Sequence, residues 1–204
     1  AASQVGSDAE FAATVERLSE PGGYFDTDNL ISNEASYLHV MGELAERGLR
    51  GGAYLGVGPD QNFSYIAAVR PELAIIVDIR RDNLLEHLLF KALFELSRDR
   101  AEYLGLLLAR PVAPRRSPDA PIESIVAHFE GVAYDPGILA STRGRVHRRL
   151  ATYGLDLSEA DLATVDRFHE AFATGGLGLR FQSFGRAPQY YYPTLRDLIP
   201  SAAK

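Results

Sequence analysis

Two glycines separated by one residue, with an aspartate about twenty positions further on, carry the clearest chemical meaning in this chain. Gly56 and Gly58 stand in the run Tyr54-Leu55-Gly56-Val57-Gly58-Pro59-Asp60-Gln61-Asn62, and Asp78 follows Gly56 by 22 residues. Glycine lets the backbone turn sharply and lets a ligand come where a Cβ would block it. A helix that opens at the same place offers unpaired N–H groups. An acidic side chain at the end of the next strand can accept two hydrogen bonds from ribose hydroxyls. The chemistry implied is the holding of a nucleotide-sized small molecule. The competing reading is architectural: the glycines serve a tight strand-to-helix turn, and Asp78 caps the following helix.

Either reading needs elements to position these residues. The short apolar run 53–57 reads as a strand that stops at Gly58-Pro59-Asp60. Asp60 is placed to cap a helix over about 61–69, and Leu73-Ala74-Ile75-Ile76-Val77 is the strongest strand signal in the chain. Strand, turn, helix and strand within thirty or so residues make a right-handed βαβ crossover with parallel strands. Neither strand alternates polar and apolar residues, so both are expected to be buried on two faces.

Around this unit the pattern is helical. Ser7 and Glu10 form a capping box, with Phe11, Val15 and Leu18 at helical spacing before Pro21. Residues 22–32 read as a loop and 34–47 as a helix ended by Gly48. A helical stretch from Asn83 to Arg110 breaks at Ser97-Arg98-Asp99. Four prolines and Arg115-Arg116 make 111–121 an exposed connection. Helices near 122–131, 136–153 and 158–173 follow, then a strand at 179–184, Tyr190-Tyr191-Tyr192 and a terminal helical turn. The expected fold class is α/β, with a Rossmann-like parallel sheet and a helix-rich second half. Residues 1–110 would hold the N-terminal helices and the βαβ unit, and 111–204 the remainder of the same domain. An open α/β sheet usually has five or six strands, so this one reads as incomplete, with further strands expected beyond Lys204.

Composition narrows the function. The 204 residues carry 21 Lys and Arg against 27 Asp and Glu, a net charge of -6, so no nucleic-acid partner is expected. Cysteine is absent, which removes thiolate metal sites and cysteine nucleophiles. The most apolar stretch, 84–108, is interrupted by Glu86, His87, Lys91, Glu95 and Asp99 among other charged residues, so no membrane span is expected. A soluble, cytoplasmic protein is the expectation, with its oligomeric state open. The five histidines lack the i, i+4 pairing of a helical zinc motif, and no Gly-x-Ser-x-Gly elbow occurs, so no metal is expected. Arg143, Arg145, Arg148 and Arg149 with His147 form a local basic cluster, read as a solvated or ion-paired face.

The run from Gly56 to Asp78 resembles the cofactor region of class I S-adenosylmethionine-dependent methyltransferases. Over 31–110, Ser32-Asn33-Glu34, Gly56-Val57-Gly58-Pro59-Asp60-Gln61-Asn62-Phe63 and Val77-Asp78-Ile79-Arg80-Arg81-Asp82-Asn83-Leu84 resemble an uncharacterised family of bacterial proteins with a methyltransferase-like fold. The resemblance implies S-adenosylmethionine as cofactor, with Gly56 and Gly58 near its amino-acid part and Asp78 on its ribose. It also raises Asn33 and Glu34, where such enzymes place a segment that closes over the cofactor. Gln61 and Asn62 would point amides into the cradle; for all four residues ordinary helix capping is the alternative. The chain departs from the class pattern at Tyr54, where an acidic residue is usual, and at Asp60, where a third glycine is common. A dinucleotide fingerprint would want glycine at Gln61, so a nicotinamide cofactor fits less well. Retention of Asp78 argues against a 2′-phosphate partner for Arg80 and Arg81.

The expected function is therefore an S-adenosylmethionine-binding, methyltransferase-like protein, with a small molecule as methyl acceptor if it is an enzyme. The alternative is a non-catalytic binding or interaction module that retains the fold, favoured by Tyr54 and Asp60. No catalytic residue is assigned: His87, between Leu85 and Leu88, reads as structural.

Overall fold

A computed structural model describes residues 7–114, 117, 119–184 and 192–199. They form an α/β, helix-rich chain that divides into two compact units. The first comprises 1–84 and 180–193, and the second 85–179 and 194–204.

In the first unit α1 (Asp8–Leu18) starts at the Ser7 capping box, with Glu10 closing back on the Ser7 backbone. The expected helix over 34–47 is instead a 3-10 turn, Ser36–Val40, leading into the short α2 (Met41–Glu46). No side chain caps either piece, so nothing local favours the α geometry from the start. Strand β1 (Ala53–Val57), helix α3 (Gln61–Val69) and strand β2 (Leu73–Val77) form the expected βαβ unit. The strands pair in parallel, Gly56 beside Ile76 and Val57 beside Val77.

That sheet has two strands among the described residues. Burial on both strand faces does not hold. Leu55, Val57, Leu73 and Val77, which lie on one face by register and alternation, are 72%, 65%, 50% and 45% exposed. The opposite face carries Tyr54 and Gly56, which meet Asn62 of α3. The expected strand at 179–184 is not formed; Ser183 makes an isolated antiparallel bridge with Thr27. The facing segment is a loop whose Asp28 Oδ1 takes the Gln182 N–H at 2.9 Å, so a side chain replaces a ladder acceptor there.

In the second unit α4 (Arg81–Leu96), which begins at the end of the first, buries Leu85, Leu88, Leu89, Phe90, Ala92 and Leu93. The break after it falls as expected: Asp99 accepts the Glu102 N–H at 2.8 Å and starts α5 (Arg100–Leu107). Three helices follow, α6 (Ile122–Gly131), α7 (Pro136–Leu150) and α8 (Glu159–Gly175). Asp135 caps α7 ahead of Pro136, and Ser158 with Asp161 forms a capping box on α8. Phe90 meets Phe172 edge to face at 5.6 Å in the core. The terminal turn is α9 (Leu195–Leu198), capped by Thr194.

Candidate functional site

Parallel pairing brings the carboxyl ends of β1 and β2 to one side of the first unit. Gly58 leaves β1 at φ +84, a conformation that glycine adopts without strain, and its N–H donates to Val77 O at 3.2 Å. A cavity of about 310 Å³ opens at this point. It is lined by Val57, Gly58, Pro59 and Gln61 from the first turn, by Asp78, Ile79 and Arg80 after β2, and by the loop residues Phe25, Asn29, Ser32 and Asn33.

Asp78 is tied to Arg80. Its Oδ1 accepts the Arg80 backbone N–H at 2.9 Å and Nε–H at 3.1 Å, and its Oδ2 accepts Nη2–H at 3.1 Å. Both side chains are shielded, at 8% and 9% exposure. Oδ1 is saturated by these bonds, while Oδ2 retains a lone pair. The remaining Arg80 nitrogen, Nη1, donates to Thr27 O at 3.4 Å and Asp28 O at 3.3 Å, which fastens the loop over the strand ends.

Of the two glycines, only Gly58 lines the cavity. Gly56 is buried, and a Cβ there would stand 1.9 Å from Asn62 Oδ1 and 2.7 Å from the Tyr54 ring. Its missing side chain makes room for a polar lock between strand and helix. Asn62, 1% exposed, accepts the Tyr54 hydroxyl at 2.7 Å. Its amide donates to Val57 O, Gly58 O and Pro59 O at 3.1, 3.1 and 2.8 Å. Asn62 therefore holds the turn from behind and is not among the lining residues. Gln61 does line the cavity: its Nε2 donates to Val57 O at 3.1 Å, while its shielded Oε1 has no partner in the protein.

Asn33 is exposed at the cavity mouth, whereas Glu34 lies outside the lining. Glu34 O accepts the Ser32 hydroxyl at 2.8 Å. Asp60 occupies the cap position of α3 without making a capping bond. Its Oδ1 instead accepts the Ser32 N–H at 3.2 Å, and burial pushes its carboxyl up to about 6. Behind α3, Tyr65 meets both Tyr37 and Tyr54 at 6.2 Å, and burial pushes the Tyr37 hydroxyl up to about 12.

Sequence reasoning missed Phe25 and Asn29, which no periodic pattern marks; the φ of +52 at Asn29 is the only local trace. It also missed Arg80 as the partner of Asp78. In the basic cluster of α7, Arg143 pairs with Glu170 and Arg149 with Glu95, His147 hydrogen-bonds Asp166 at 2.9 Å, and Arg145 donates to Leu96 O. His87 lies in α4, edge-on to Phe90 at 5.8 Å, and is not one of the cavity-lining residues. Tyr192 packs on Phe181, while Tyr190 and Tyr191 lie outside the described residues. Among the described residues no group of three His, Cys, Asp or Glu is arranged to hold a metal, and no helix is long and apolar enough to cross a membrane.

The geometry defines an α/β protein with a ligand-sized cavity at the carboxyl ends of a parallel strand pair. Residues 29–120, which include most of the cavity lining, match the model of a family described as a domain of unknown function, DUF7790. No curated protein matches the chain.

Proposed function

We propose that the first unit binds the nucleoside part of S-adenosylmethionine in a Rossmann-type, methyltransferase-like arrangement. The observation that carries this reading is the cavity at the paired strand ends, with Gly58 at the turn, Asp78 on the wall and an unpartnered Gln61 Oε1. Ligands of open α/β sheets bind at the carboxyl ends of strands. At about 310 Å³ the cavity lies at the small end of the ~300–1,000 Å³ range for ligand sites, a size suited to a nucleoside.

The residues fit that group. The free lone pair of Asp78 Oδ2 takes one ribose hydroxyl, not two, because Arg80 holds the other positions. Phe25 and Ile79 supply apolar surface for a base, and Gln61 Oε1 accepts from a ligand donor. When bound, this cofactor supplies an activated methyl group on a sulfonium centre. The protein's contribution to a transfer would be positioning and exclusion of water.

Calorimetric titration with S-adenosylmethionine and S-adenosylhomocysteine tests the reading, with Asp78→Asn as control and NADP as competitor. Micromolar binding that the substitution weakens about tenfold, or ~1.4 kcal/mol, is the expected result. Absence of binding by both sulfur ligands in the folded wild-type chain overturns it.

The second reading is a binding module without catalysis. It is favoured by the lining itself, which among the described residues contains no His, Lys, Tyr, Cys or Glu, and whose single carboxylate is paired to Arg80. Tight cofactor binding without formation of S-adenosylhomocysteine across a panel of small acceptors distinguishes it from the first.

A further inference from the structure

In nucleotide-binding α/β folds the helix after the first strand receives phosphate at its N-terminus, where unpaired N–H groups and the helix dipole favour an anion. The corresponding helix here is α3, and an anion belonging to the chain already stands there. The Asp60 carboxylate stands at the cap position of α3, where its Oδ1 accepts the Ser32 N–H at 3.2 Å. Nearby donors are also committed, Gly58 N–H to Val77 O and Phe63 N–H to Asp60 O at 2.9 Å. Asp60 lies just behind the cavity surface: Pro59, Gln61 and Ser32 are lining residues and it is not. A phosphate arriving at this wall would find the N–H groups of Ser32, Gly58 and Phe63 already engaged and the like charge of Asp60 just behind the lining.

We propose that Asp60 is a specificity-determining residue that excludes phosphorylated nucleotides, so that the cavity accepts adenosine-type nucleosides only when they carry no 5′-phosphate. The inference rests on the nucleoside reading of this cavity and adds a ligand class and a residue to it. It gives a role to a residue that stands where methyltransferase-like turns often carry a third glycine.

The test compares adenosine, S-adenosylhomocysteine and ADP by calorimetry on the full chain, as wild type and as Asp60→Asn. The amide keeps an acceptor for the Ser32 N–H but removes the charge. The wild type should bind adenosine at least about tenfold more tightly than ADP. Asp60→Asn should narrow that ratio about tenfold by improving ADP, with adenosine unchanged. Equal wild-type affinity for adenosine and ADP overturns this inference and leaves the nucleoside site standing. The same holds if the variant binds adenosine normally and ADP no better. If no nucleoside binds the wild type, the site reading falls and this inference with it. Should Asp60→Asn fail to fold, the wild-type ratio decides alone.

Discussion

The guanidinium of Arg80 closes on both oxygens of the Asp78 carboxylate, with Nε at 3.1 Å from Oδ1 and Nη2 at 3.1 Å from Oδ2. The same side chain reaches back to the carbonyls of Thr27 and Asp28, so one residue orients the cavity's carboxylate and holds the loop beside it. Removing one member of a shielded pair leaves the other charge uncompensated. Arg80→Leu is therefore expected to destabilise the chain by about 3–5 kcal/mol. Replacing both Arg80 and Asp78 by Leu should cost less than the Arg80 change alone, since no charge is stranded. Urea unfolding of the single and double variants measures this, and a double variant worse than the sum of the singles contradicts the pairing.

The two glycines are expected to fail in different ways. Gly56→Ala drives a methyl into Asn62 and Tyr54, so it should lower stability by more than ~2 kcal/mol, as overpacking and lost hydrogen bonds combine. Gly58→Ala meets nothing closer than 3.3 Å but sits at φ +84, so its backbone cost is of the order of 1–2 kcal/mol. Its larger effect should appear in ligand affinity, because Gly58 lines the cavity. Thermal unfolding and calorimetry on both variants separate the outcomes; equal loss of stability at the two positions would contradict the assignment.

Asn62 joins strand, turn and helix through four hydrogen bonds. Asn62→Leu removes these four bonds and leaves the Tyr54 hydroxyl without its acceptor, although Val57 O keeps the Gln61 amide, for an expected loss of roughly 2–4 kcal/mol. Tyr54→Phe removes one donor and should cost about 1 kcal/mol. If chemical denaturation ranks Tyr54→Phe above Asn62→Leu, the lock is misassigned.

Burial raises the Asp60 carboxyl from its usual 3.8 to about 6. Between those values the folded chain keeps a proton that the unfolded chain has released, so this group's contribution to stability falls as pH rises through the window. Asp60→Asn removes the titration. Its stability relative to wild type should rise from about pH 4 to about pH 8, by up to ~2 kcal/mol. Unfolding curves at the two pH values read the difference directly, and a difference that stays flat contradicts the shift.

Much of the local structure could be read from neighbouring residues, since caps and turns are decided within four positions. Ser7 with Glu10, Asp99 and Ser158 mark helix starts where the structure has them, and the Gly-rich turn sits between its two strands. The helix expected at 34–47 was less legible: without a capping side chain it opens as a 3-10 turn. The cavity was legible in outline, through Gly58, Gln61 and Asp78, because a strand-turn-helix-strand order places those positions together whatever surrounds them.

What folding alone decided are contacts between residues far apart in the chain. Asp60 looks like a helix cap within its own segment, yet it bonds the N–H of Ser32, 28 residues away. Gly56 looks like ligand clearance, yet the space is filled by Asn62 and Tyr54. Asp78 looks free for a ribose, yet Arg80 covers most of its acceptor capacity while holding a loop about fifty residues upstream. An unbroken aliphatic run tells that a strand can be covered on two faces; whether a second layer covers it is a tertiary fact, and here Leu55 and Val57 face outward. Local order follows from short-range hydrogen bonding and periodicity. The character of the site follows from which distant polar groups are packed together and must satisfy one another.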